Sequence, residues 1–252
     1  MRLQGKVAVV TGAGSGFGAG IARLFAAEGA RVVLADINGE AAEAVAAEID
    51  RAGGAAVGLK ADVTDKADVA AMMRAALDTY GRLDILVNNA GVAHRNKPMT
   101  EVTEEEFDRI YAVNVKAIYL SALEAIPLLR AEGGGCIINT SSTAALRPRP
   151  GLTVYNSSKG AVNVLTKSMA VELAPDNIRV NAICPVIGET ALMETFMGVA
   201  DTPENRRKFE ATIPLGRFST PKDIAHAAVF LASEEAAFLT GVTLEVDGGR
   251  CI

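Results

Sequence analysis

Short apolar runs alternate with alanine-rich stretches of helical character along the chain. The runs are continuous rather than broken by polar residues, as expected for strands that helices cover on both faces. They lie at residues 6–11, 31–36, 55–62, 83–88, 136–141, 177–183 and 243–247. Alternating strand and helix patterns predict right-handed βαβ units. We therefore expect an α/β fold, a doubly wound Rossmann-type three-layer α/β/α sandwich with a seven-stranded parallel sheet.

Capping residues mark two helix starts. Thr103 stands three residues before Glu106, which is the spacing of a capping box. Residues 220–223 place Thr, Pro and Asp at the N-cap, first and third helical positions. The helix that starts after Thr103 should run to about residue 130, with Pro127 kinking or ending it near its last turn.

One long segment of mixed character interrupts the alternation. Residues 186–220 contain glycines and prolines and follow the carboxyl end of the sixth predicted strand. Ligands bind at that edge of open parallel sheets, so the segment is a candidate lid over a site. No linker or repeat divides the chain, and we expect one domain over residues 1–252.

Composition narrows the class of protein. Half of the 252 residues are hydrophobic, 22% are charged, and the net charge is −5. A globular chain of this charge has no clustered cations for nucleic acid or an anionic membrane, so neither is an expected partner. The apolar stretch at the N-terminus is too short for a signal peptide, and no run approaches the roughly 18 apolar residues of a membrane span. We expect a cytoplasmic protein.

Cysteine and histidine are sparse. Cys136, Cys184 and Cys251 show no CxxC spacing, and the chain has only two histidines. This set fits neither a disulfide framework nor a zinc cluster. Free thiols and no structural metal are expected.

A glycine-rich turn follows the first strand and precedes the first helix. Gly12, Gly16 and Gly18 have the spacing TGxxxGxG rather than GxGxxG. Without Cβ atoms, such a turn lets backbone N–H groups and the positive end of the helix approach a pyrophosphate. A purely structural turn is the alternative. The position of the turn between strand and helix favours a dinucleotide.

Asp36 ends the second predicted strand, where an acid can accept hydrogen bonds from the adenosine ribose hydroxyls. A 2′-phosphate there would meet a like charge, which costs roughly 4 kcal/mol at about 4 Å and an effective dielectric near 20. Ser15, inside the glycine turn, offers that phosphate no positive charge. NAD(H) is thus favoured over NADP(H). The alternative is that Asp36 only caps the following helix.

The glycine turn and Asp36 are followed by further short motifs in a fixed order along the chain. The further positions are 62–63, 88–91, Asn114, Ser142, 155–159 and 246–249. In this pattern the chain resembles the short-chain dehydrogenase/reductase family over essentially its whole length. The resemblance implies that Asp62 and Val63 contact the adenine, that Asn89 lies along the cofactor, and that Thr190 holds the nicotinamide carboxamide.

The complete cofactor-binding set expected from turn and resemblance combines glycines, strand-end residues and two side chains of a later helix. It comprises Gly12, Ser15, Gly16, Phe17, Gly18, Asp36, Ile37, Asp62, Val63, Asn89, Ala90, Gly91, Tyr155, Lys159, Pro185, Gly188 and Thr190. One departure lies after the sixth strand, where the family usually has Pro-Gly and this chain has Pro185 and Val186. Because Thr190 keeps its usual distance from Pro185, we expect the carboxamide contacts to survive, with Gly188 supplying backbone.

Four side chains are candidates for the chemistry. Reducing a ketone needs a hydride from the nicotinamide and a proton from the protein, for which Tyr155 is the proposed acid. Bringing a tyrosine from its ordinary pKa of about 10 to between 7 and 8 requires about 3 to 4 kcal/mol. Lys159, one helical turn later, is positioned to help. Ser142 is expected to bind the substrate oxygen, in preference to Ser141, and the resemblance implies that Asn114 holds a water that relays protons to Lys159.

Two loops near the predicted substrate entrance carry positive charges or histidine. One holds His94, Arg95 and Lys97, and the other holds Arg147 and Arg149. We interpret these residues as solvated loop positions, with recognition of an anionic substrate as the alternative.

Three apolar residues of the candidate lid form another group with two interpretations. Met193, Phe196 and Met197 either line its inner face or pack in a core. Cys184, near the nicotinamide by motif, is expected to be a small buried residue.

The sequence therefore predicts an oxidoreductase that acts on a small-molecule secondary alcohol or carbonyl, such as a hydroxy acid, polyol or sugar. A 3-oxoacyl-acyl-carrier-protein reductase using NADPH is an alternative, although Asp36 and Ser15 fit it poorly. An epimerase or enoyl reductase would differ in one of the motif spacings. A non-catalytic NAD(H)-sensing protein should lack one of the catalytic side chains. The resemblance also implies a homotetramer in which helices around 103–130 and 152–174 pair between subunits.

Overall fold

The computed structural model describes residues 1–252 and contains all seven predicted strands. The strands are β1 (Val7–Thr11), β2 (Arg31–Asp36), β3 (Ala55–Lys60), β4 (Ile85–Asn88), β5 (Gly135–Thr140), β6 (Ile178–Pro185) and β7 (Thr243–Val246). They form one sheet in the order β3-β2-β1-β4-β5-β6-β7, and every neighbouring pair is parallel. The order reverses between β1 and β4, which creates a crevice at the carboxyl ends of the strands.

Nine α-helices flank the sheet or cover its carboxyl edge. They are α1 (Gly16–Ala27), α2 (Gly39–Arg51), α3 (Lys66–Tyr80), α4 (Glu104–Tyr111), α5 (Ala117–Ala131), α6 (Thr153–Leu173), α7 (Met193–Met197), α8 (Pro203–Glu210) and α9 (Pro221–Ala232). Four short 3₁₀ turns lie at Met99–Glu101, Thr143–Ala145, Ala174–Asp176 and Glu234–Ala236.

Two large apolar clusters fill the space between the sheet and its helices. Residues of α1, α2 and α9 pack on one face of the sheet around the fully buried Phe25. Residues of α3, α5 and α6 pack on the other face around Met72 and Leu129. The predicted three-layer α/β/α sandwich is confirmed. The three cysteines are free thiols, as expected.

Both predicted helix starts are present, and each has a capping box. The Thr103 hydroxyl accepts from the Glu106 N–H, and the Glu106 side chain accepts from the Thr103 N–H. Thr220 and Asp223 make the same pair of bonds at the start of α9. Each bond satisfies a backbone donor that the first turn of a helix leaves free.

The helical stretch after Thr103 differs from the prediction in one respect. A π-helical segment, Ala112–Lys116, separates α4 from α5. The end of the stretch agrees with the predicted one, since α5 contains Pro127 in its last turn and ends at Ala131. The stretch Glu104–Ala131 is long and apolar enough to cross a membrane by length and composition. In the fold it packs against α3 and α6 as part of one helical layer. Of its 18 most apolar consecutive residues, 44% are buried.

The candidate lid, residues 186–220, contains α7 and α8 and has a small core of its own. Val186, Met193, Met197, Ile213 and Phe218 are buried together. A parallel bridge between residues 188 and 219 joins the two ends of the segment to each other. Two of the three apolar lid residues therefore serve core packing.

Candidate active site

A cavity of about 690 Å³ lies at the carboxyl ends of the strands, between the glycine turn and the candidate lid. Ser142, Tyr155 and Lys159 line it. The expected cofactor residues that also line it are Gly12, Ser15, Gly16, Phe17, Asp36, Ile37, Asp62, Val63, Asn89, Ala90, Gly91, Pro185, Gly188 and Thr190. Gly18 and Asn114 are the two expected site residues that do not line the cavity.

The glycine turn has the backbone geometry that only glycine adopts easily. Gly12 and Gly16 have φ angles of +63° and +53°. A Cβ on Gly18 would overlap the Gly12 carbonyl oxygen, so Gly18 acts by letting the turn close on itself rather than by lining the cavity. Since α1 begins at Gly16, its N-terminal N–H groups are open to the cavity.

The motif after β4 fixes this turn in place. The N–H groups of Asn89 and Ala90 donate to the Thr11 hydroxyl at 3.0 and 3.1 Å. The Asn89 side chain donates to the carbonyls of Thr11 and Gly12 at 2.9 and 3.2 Å. Thr11 and Asn89 thus join β1 to β4 at the crevice. Asn89 lines the cavity, but its amide hydrogens are used by the turn.

Asp36 links the glycine turn to the end of β2. Its carboxylate accepts from the Gly14 N–H at 2.8 Å and the Asn38 N–H at 2.9 Å. The N-cap of α2 is Asn38, whose side chain accepts from the Ala41 N–H. The alternative in which Asp36 only caps that helix is therefore wrong. The residue is half-buried and lines the cavity.

Tyr155 and Lys159 meet Ser142 at the base of the cavity. Both residues of α6 are buried, and the Lys159 ammonium lies 5.8 Å from the centre of the Tyr155 ring. The Lys159 Nζ donates to the carbonyl of Thr140, at the end of β5, at 2.7 Å. This bond fixes the amine beneath the tyrosine, because α6 and β5 are both parts of the rigid frame.

Burial opposes charge on both groups. It raises the pKa of Tyr155 to about 12, against which a hydrogen bond with the Ser142 hydroxyl acts in the lowering direction. It also lowers the pKa of Lys159 to about 8. In the protein alone the phenol is therefore protonated at neutral pH. Its phenolate would need additional positive charge nearby.

The two serines at the end of β5 have different surroundings. The buried Ser141 hydroxyl donates to the Lys159 carbonyl at 3.1 Å and so anchors α6 to the strand. The Ser142 hydroxyl accepts from the Ala144 N–H at 3.0 Å and lines the cavity. The geometry favours Ser142 as the residue that faces a substrate oxygen, as expected from the spacing.

Asn114 lies in the π-helical segment, which the sequence did not predict. Its side chain accepts from the Val92 N–H and donates to the Val92 carbonyl, both at 2.9 Å. It also donates to the Ser158 hydroxyl at 3.0 Å. With these bonds, Asn114 joins the chain after β4 to α6. A π-helical turn displaces main-chain carbonyls from their usual partners and is frequent at functional sites.

The departure at Val186 is accommodated. The residue has no positive φ and is buried in the core of the candidate lid. The glycine that the site needs is Gly188, since a Cβ there would overlap the Phe17 ring. The Thr190 N–H donates to the Gly188 carbonyl at 2.8 Å, which keeps Thr190 beside the glycine turn.

The charged loop residues fall into different environments. Arg95 and Arg147 are exposed, as the solvated interpretation requires. His94 is only 4% exposed, and its Nδ1 lies 2.9 Å from the Arg95 carbonyl, away from the cavity lining. Arg149 is half-buried and lines the cavity. The solvated interpretation is therefore wrong for His94 and Arg149.

Phe196 is the lid residue that reaches the candidate chemistry. Its ring centre lies 5.0 Å from that of Tyr155, and the two planes are tilted by 56°. The inner-face interpretation thus holds for Phe196, which lines the cavity. Its neighbours Met193 and Met197 are in the small core beneath.

Known proteins match the chain over its whole length. A family profile described as Enoyl-(Acyl carrier protein) reductase matches residues 12–250. The 4-formylbenzenesulfonate dehydrogenase of Comamonas testosteroni is 52% identical over 252 residues, which is 100% of both chains. The 2,5-dichloro-2,5-cyclohexadiene-1,4-diol dehydrogenase of Sphingobium indicum is 42% identical over 98% of this chain and 97% of the relative.

A solved structure extends the similarity to three dimensions. The structure of 3-ketoacyl-(acyl-carrier-protein) reductase from Brucella melitensis complexed with NADH has a TM-score of 0.92 and 49% identity. The similarity covers 99% of this chain and 100% of that chain. With relatives that are dehydrogenases and reductases over the full length, the chain is an oxidoreductase of the short-chain dehydrogenase/reductase family.

Proposed function

We propose that this protein is an NAD(H)-dependent dehydrogenase that interconverts a small alcohol and its carbonyl compound, with Tyr155 as general acid and base. The observation that carries the proposal is the meeting of Ser142, Tyr155 and Lys159 at the base of the cavity. The catalytic set is complete, which argues against a non-catalytic NAD(H)-sensing protein.

The three side chains divide the work of binding the substrate oxygen and moving its proton. Ser142 and Tyr155 both offer hydroxyl groups to that oxygen. Because burial keeps the phenol of Tyr155 protonated, it is ready to donate its proton to the oxygen of a carbonyl. Lys159, held by the Thr140 carbonyl, favours the phenolate that remains and returns a proton to it. With a dinucleotide held by the glycine turn and Thr190, its nicotinamide would supply hydride exchange with the substrate carbon, and its oxidised form would supply positive charge that favours the phenolate.

The glycine turn and Asp36 fit NAD(H). The turn has no Cβ where a pyrophosphate would approach, and Gly12 and Gly18 admit none without a clash. The Asp36 carboxylate would accept from ribose hydroxyls and repel a 2′-phosphate. The Brucella structure is a complex with NADH, which supports the same cofactor here.

The proposed substrate is a small molecule that carries a ring. The relatives act, by their names, on a substituted benzene and a substituted cyclohexadiene. Leu152, Phe196 and Phe209 give this cavity apolar walls of the kind that such rings require.

A 3-oxoacyl-acyl-carrier-protein reductase is the second candidate, because the Brucella structure carries that description. It would act on a flexible acyl chain delivered by an acidic protein. Steady-state reduction of acetoacetyl-carrier protein and of a ring-bearing ketone separates the two candidates. A higher kcat/KM for the carrier-bound substrate would replace the first proposal by the second.

The decisive experiment is reduction of NAD⁺ and NADP⁺ across a panel of secondary alcohols, benzyl alcohols, hydroxy acids, polyols and sugars. We expect turnover with NAD⁺ and a preference for cyclic or aromatic alcohols. A clear preference for NADP⁺ would contradict the assignment to Asp36. Binding of NADH without turnover of any alcohol or carbonyl would instead favour a cofactor sensor.

We further propose a cytoplasmic homotetramer. Large apolar side chains remain exposed on the helices expected to pair between subunits: Tyr119 and Leu123 on α5, and Val164 and Val171 on α6. Large apolar side chains left exposed on these helices fit an interface between subunits. Light scattering during gel filtration tests this, with Val171→Glu expected to give smaller species and a monomeric wild type contradicting the proposal.

A further inference from the structure

Charge is distributed unevenly around the cavity. Its two lining carboxylates lie on the side of the glycine turn: Asp36 is the last residue of β2, and Asp62 follows β3. The lining contributed by residues 146–152 and by the turn after β7 carries Arg147, Arg149 and Arg250 and no carboxylate. This part of the wall lacks the negative groups that would ordinarily neutralise arginines.

Arg149 is half-buried, unlike the exposed Arg147. Its Nη2 donates to the Phe196 carbonyl at 3.0 Å, and its guanidinium lies 4.8 Å from the centre of the Phe209 ring. No carboxylate lies within 4.0 Å of it. Burial and the charge of Arg250 lower its pKa. The guanidinium is therefore a half-buried cation held by neutral groups, with donors left for a negative partner.

Arg147, two residues earlier, provides an internal contrast. It is exposed, and its Nη1 donates to the main-chain oxygens of Arg250 and Ile252 at 2.7 and 3.1 Å. Its side chain has a structural task in holding the turn after β7. Arg149 has no comparable use of its charge.

Arg149 is also fixed relative to the candidate chemistry. The Asn156 side chain donates to the Arg149 carbonyl at 2.9 Å, and Asn156 follows Tyr155 directly on α6. Phe196 contacts both ends of the arrangement, since its carbonyl accepts from Arg149 and its ring lies 5.0 Å from that of Tyr155. The guanidinium and the phenol are therefore separated by a single aromatic residue.

We propose that Arg149 binds the carboxylate or sulfonate of a small ring-bearing substrate whose alcohol or carbonyl carbon lies at Tyr155. The planar fork of a guanidinium matches the paired oxygens of either anion. Phe196 and Phe209 supply the apolar surface for the ring between the two polar ends. The inference rests on the proposed function, because it places the reacting end of that substrate at Tyr155.

Binding of benzenesulfonate to the NAD⁺-saturated protein tests the anion site without requiring turnover. Calorimetry compares the wild type with Arg149→Met, Arg149→Lys and the control Arg95→Met, which changes an exposed arginine on the neighbouring loop. We expect Arg149→Met to weaken binding by at least about tenfold, the value for a hydrogen bond to a charged group. Arg149→Lys should be intermediate and Arg95→Met unchanged.

Benzyl alcohol presents the same ring without the anion and should bind all four proteins with similar affinity. Two results would overturn the inference. In the first, the wild type does not bind benzenesulfonate, or Arg149→Met binds it as the wild type does. In the second, Arg149→Met weakens both ligands equally, which would mean that Arg149 only supports Phe196 and Phe209.

Reduction of 4-formylbenzoate and its neutral methyl ester by NADH then distinguishes this inference from the proposed function. Arg149→Met should raise KM for the anion about tenfold and leave kcat/KM for the ester nearly unchanged. An anion site that depends on Arg149, in a protein that turns over no alcohol or carbonyl, would uphold the anion site and contradict the proposed function. Equal KM effects on anion and ester would contradict only the inference.

Discussion

The two ends of the cavity are held together by different kinds of contact. At the glycine turn, side chains bond to the main chain: Asp36 to Gly14, and Asn89 to Thr11 and Gly12. At the lid end, side-chain packing adds to such bonds: Arg149 donates to the Phe196 carbonyl and also lies over the ring of Phe209. A bond from a side chain to the main chain requires a particular residue at a particular backbone position. The residues at the first end can therefore form a recognisable sequence motif. Packing tolerates many combinations, so the second end can vary with the substrate.

Tyr155 stands where the two ends meet, and its replacement should have the largest effect. Tyr155→Phe removes the proton donor while keeping the ring against Phe196. We expect kcat to fall about a thousandfold, within the usual contribution of general acid catalysis, and the Kd of NADH to stay the same. Tyr80→Phe is the control at a tyrosine outside the cavity lining. Retention of more than a tenth of the wild-type rate would remove Tyr155 from its proposed role.

Lys159→Met should lower turnover about a hundredfold and also change the pH profile. Alcohol oxidation needs the phenolate of Tyr155, so its rate rises with pH. Burial already raises the pKa of Tyr155 to about 12, and loss of the neighbouring ammonium raises it further. The rising limb should therefore move to higher pH.

Lys167→Met, at an exposed lysine on the same helix, is the control for this change. Rates are compared from pH 6 to pH 11 with saturating NAD⁺. An unchanged profile with a reduced rate would mean that Lys159 only supports the position of α6 through Thr140.

Gly18→Ala tests the motif-bearing end without touching the candidate chemistry. The added Cβ would overlap the Gly12 carbonyl oxygen, so the turn must open. We expect the Kd of NADH to rise at least about tenfold and the unfolding free energy to fall by about 1 to 3 kcal/mol. Ala27→Gly, at the exposed end of the same helix, should leave NADH binding unchanged. Fluorescence titration of NADH decides, and equal affinities would show that the turn tolerates a side chain.

The strands and the cofactor end could be predicted because local sequence determines them. Continuous apolar runs correspond to buried strands, and Gly12, Gly16 and Gly18 occupy backbone positions where side chains clash or are strained. Thr103 and Thr220 cap helices through bonds made within three residues. In each case the signal and its physical cause lie close together along the chain.

The remainder depends on contacts between distant residues. The π-helical segment at Asn114 is stabilised by bonds to Val92 and Ser158, which no local pattern around Asn114 indicates. The half-burial of Arg149 follows from aromatic residues that lie about 50 positions away in the candidate lid. A charged residue in a loop is ordinarily solvated, so the sequence favoured the wrong interpretation there.

Asp36→Asn sharpens the cofactor assignment by removing the negative charge. Asparagine keeps one oxygen that can accept from Gly14 and gives up the bond from the Asn38 N–H, so the turn should remain closed. We expect the ratio of kcat/KM for NADP⁺ to that for NAD⁺ to rise about tenfold, because the repulsion of a 2′-phosphate is removed. Asp50→Asn, at the far end of α2, is the control. An unchanged ratio would mean that another group excludes the phosphate.

The smallest effects are expected from the same substitution at two helix caps. One cap belongs to a helix packed on the sheet, and the other belongs to the candidate lid. Thr220 caps α9, which packs on the sheet, whereas Thr202 caps α8 by accepting from the Asn205 N–H at 3.2 Å. Thr220→Ala should lower the global unfolding free energy by about 1 kcal/mol and leave kcat/KM unchanged. Thr202→Ala should leave the global unfolding free energy unchanged and lower kcat/KM. The reason is that α8 has no buried residue and can open without unfolding the sheet.

Urea unfolding and kcat/KM for one cyclic alcohol, measured on both variants, test this difference. The expected change in kcat/KM for Thr202→Ala is about two- to threefold, since a frayed α8 presents Phe209 less often to the cavity. Equal loss of global stability in the two variants would show that the lid folds as one unit with the sheet. It would then be incorrect to treat the substrate end of the cavity, in the lid, as able to open independently of the cofactor end, which is held by the sheet.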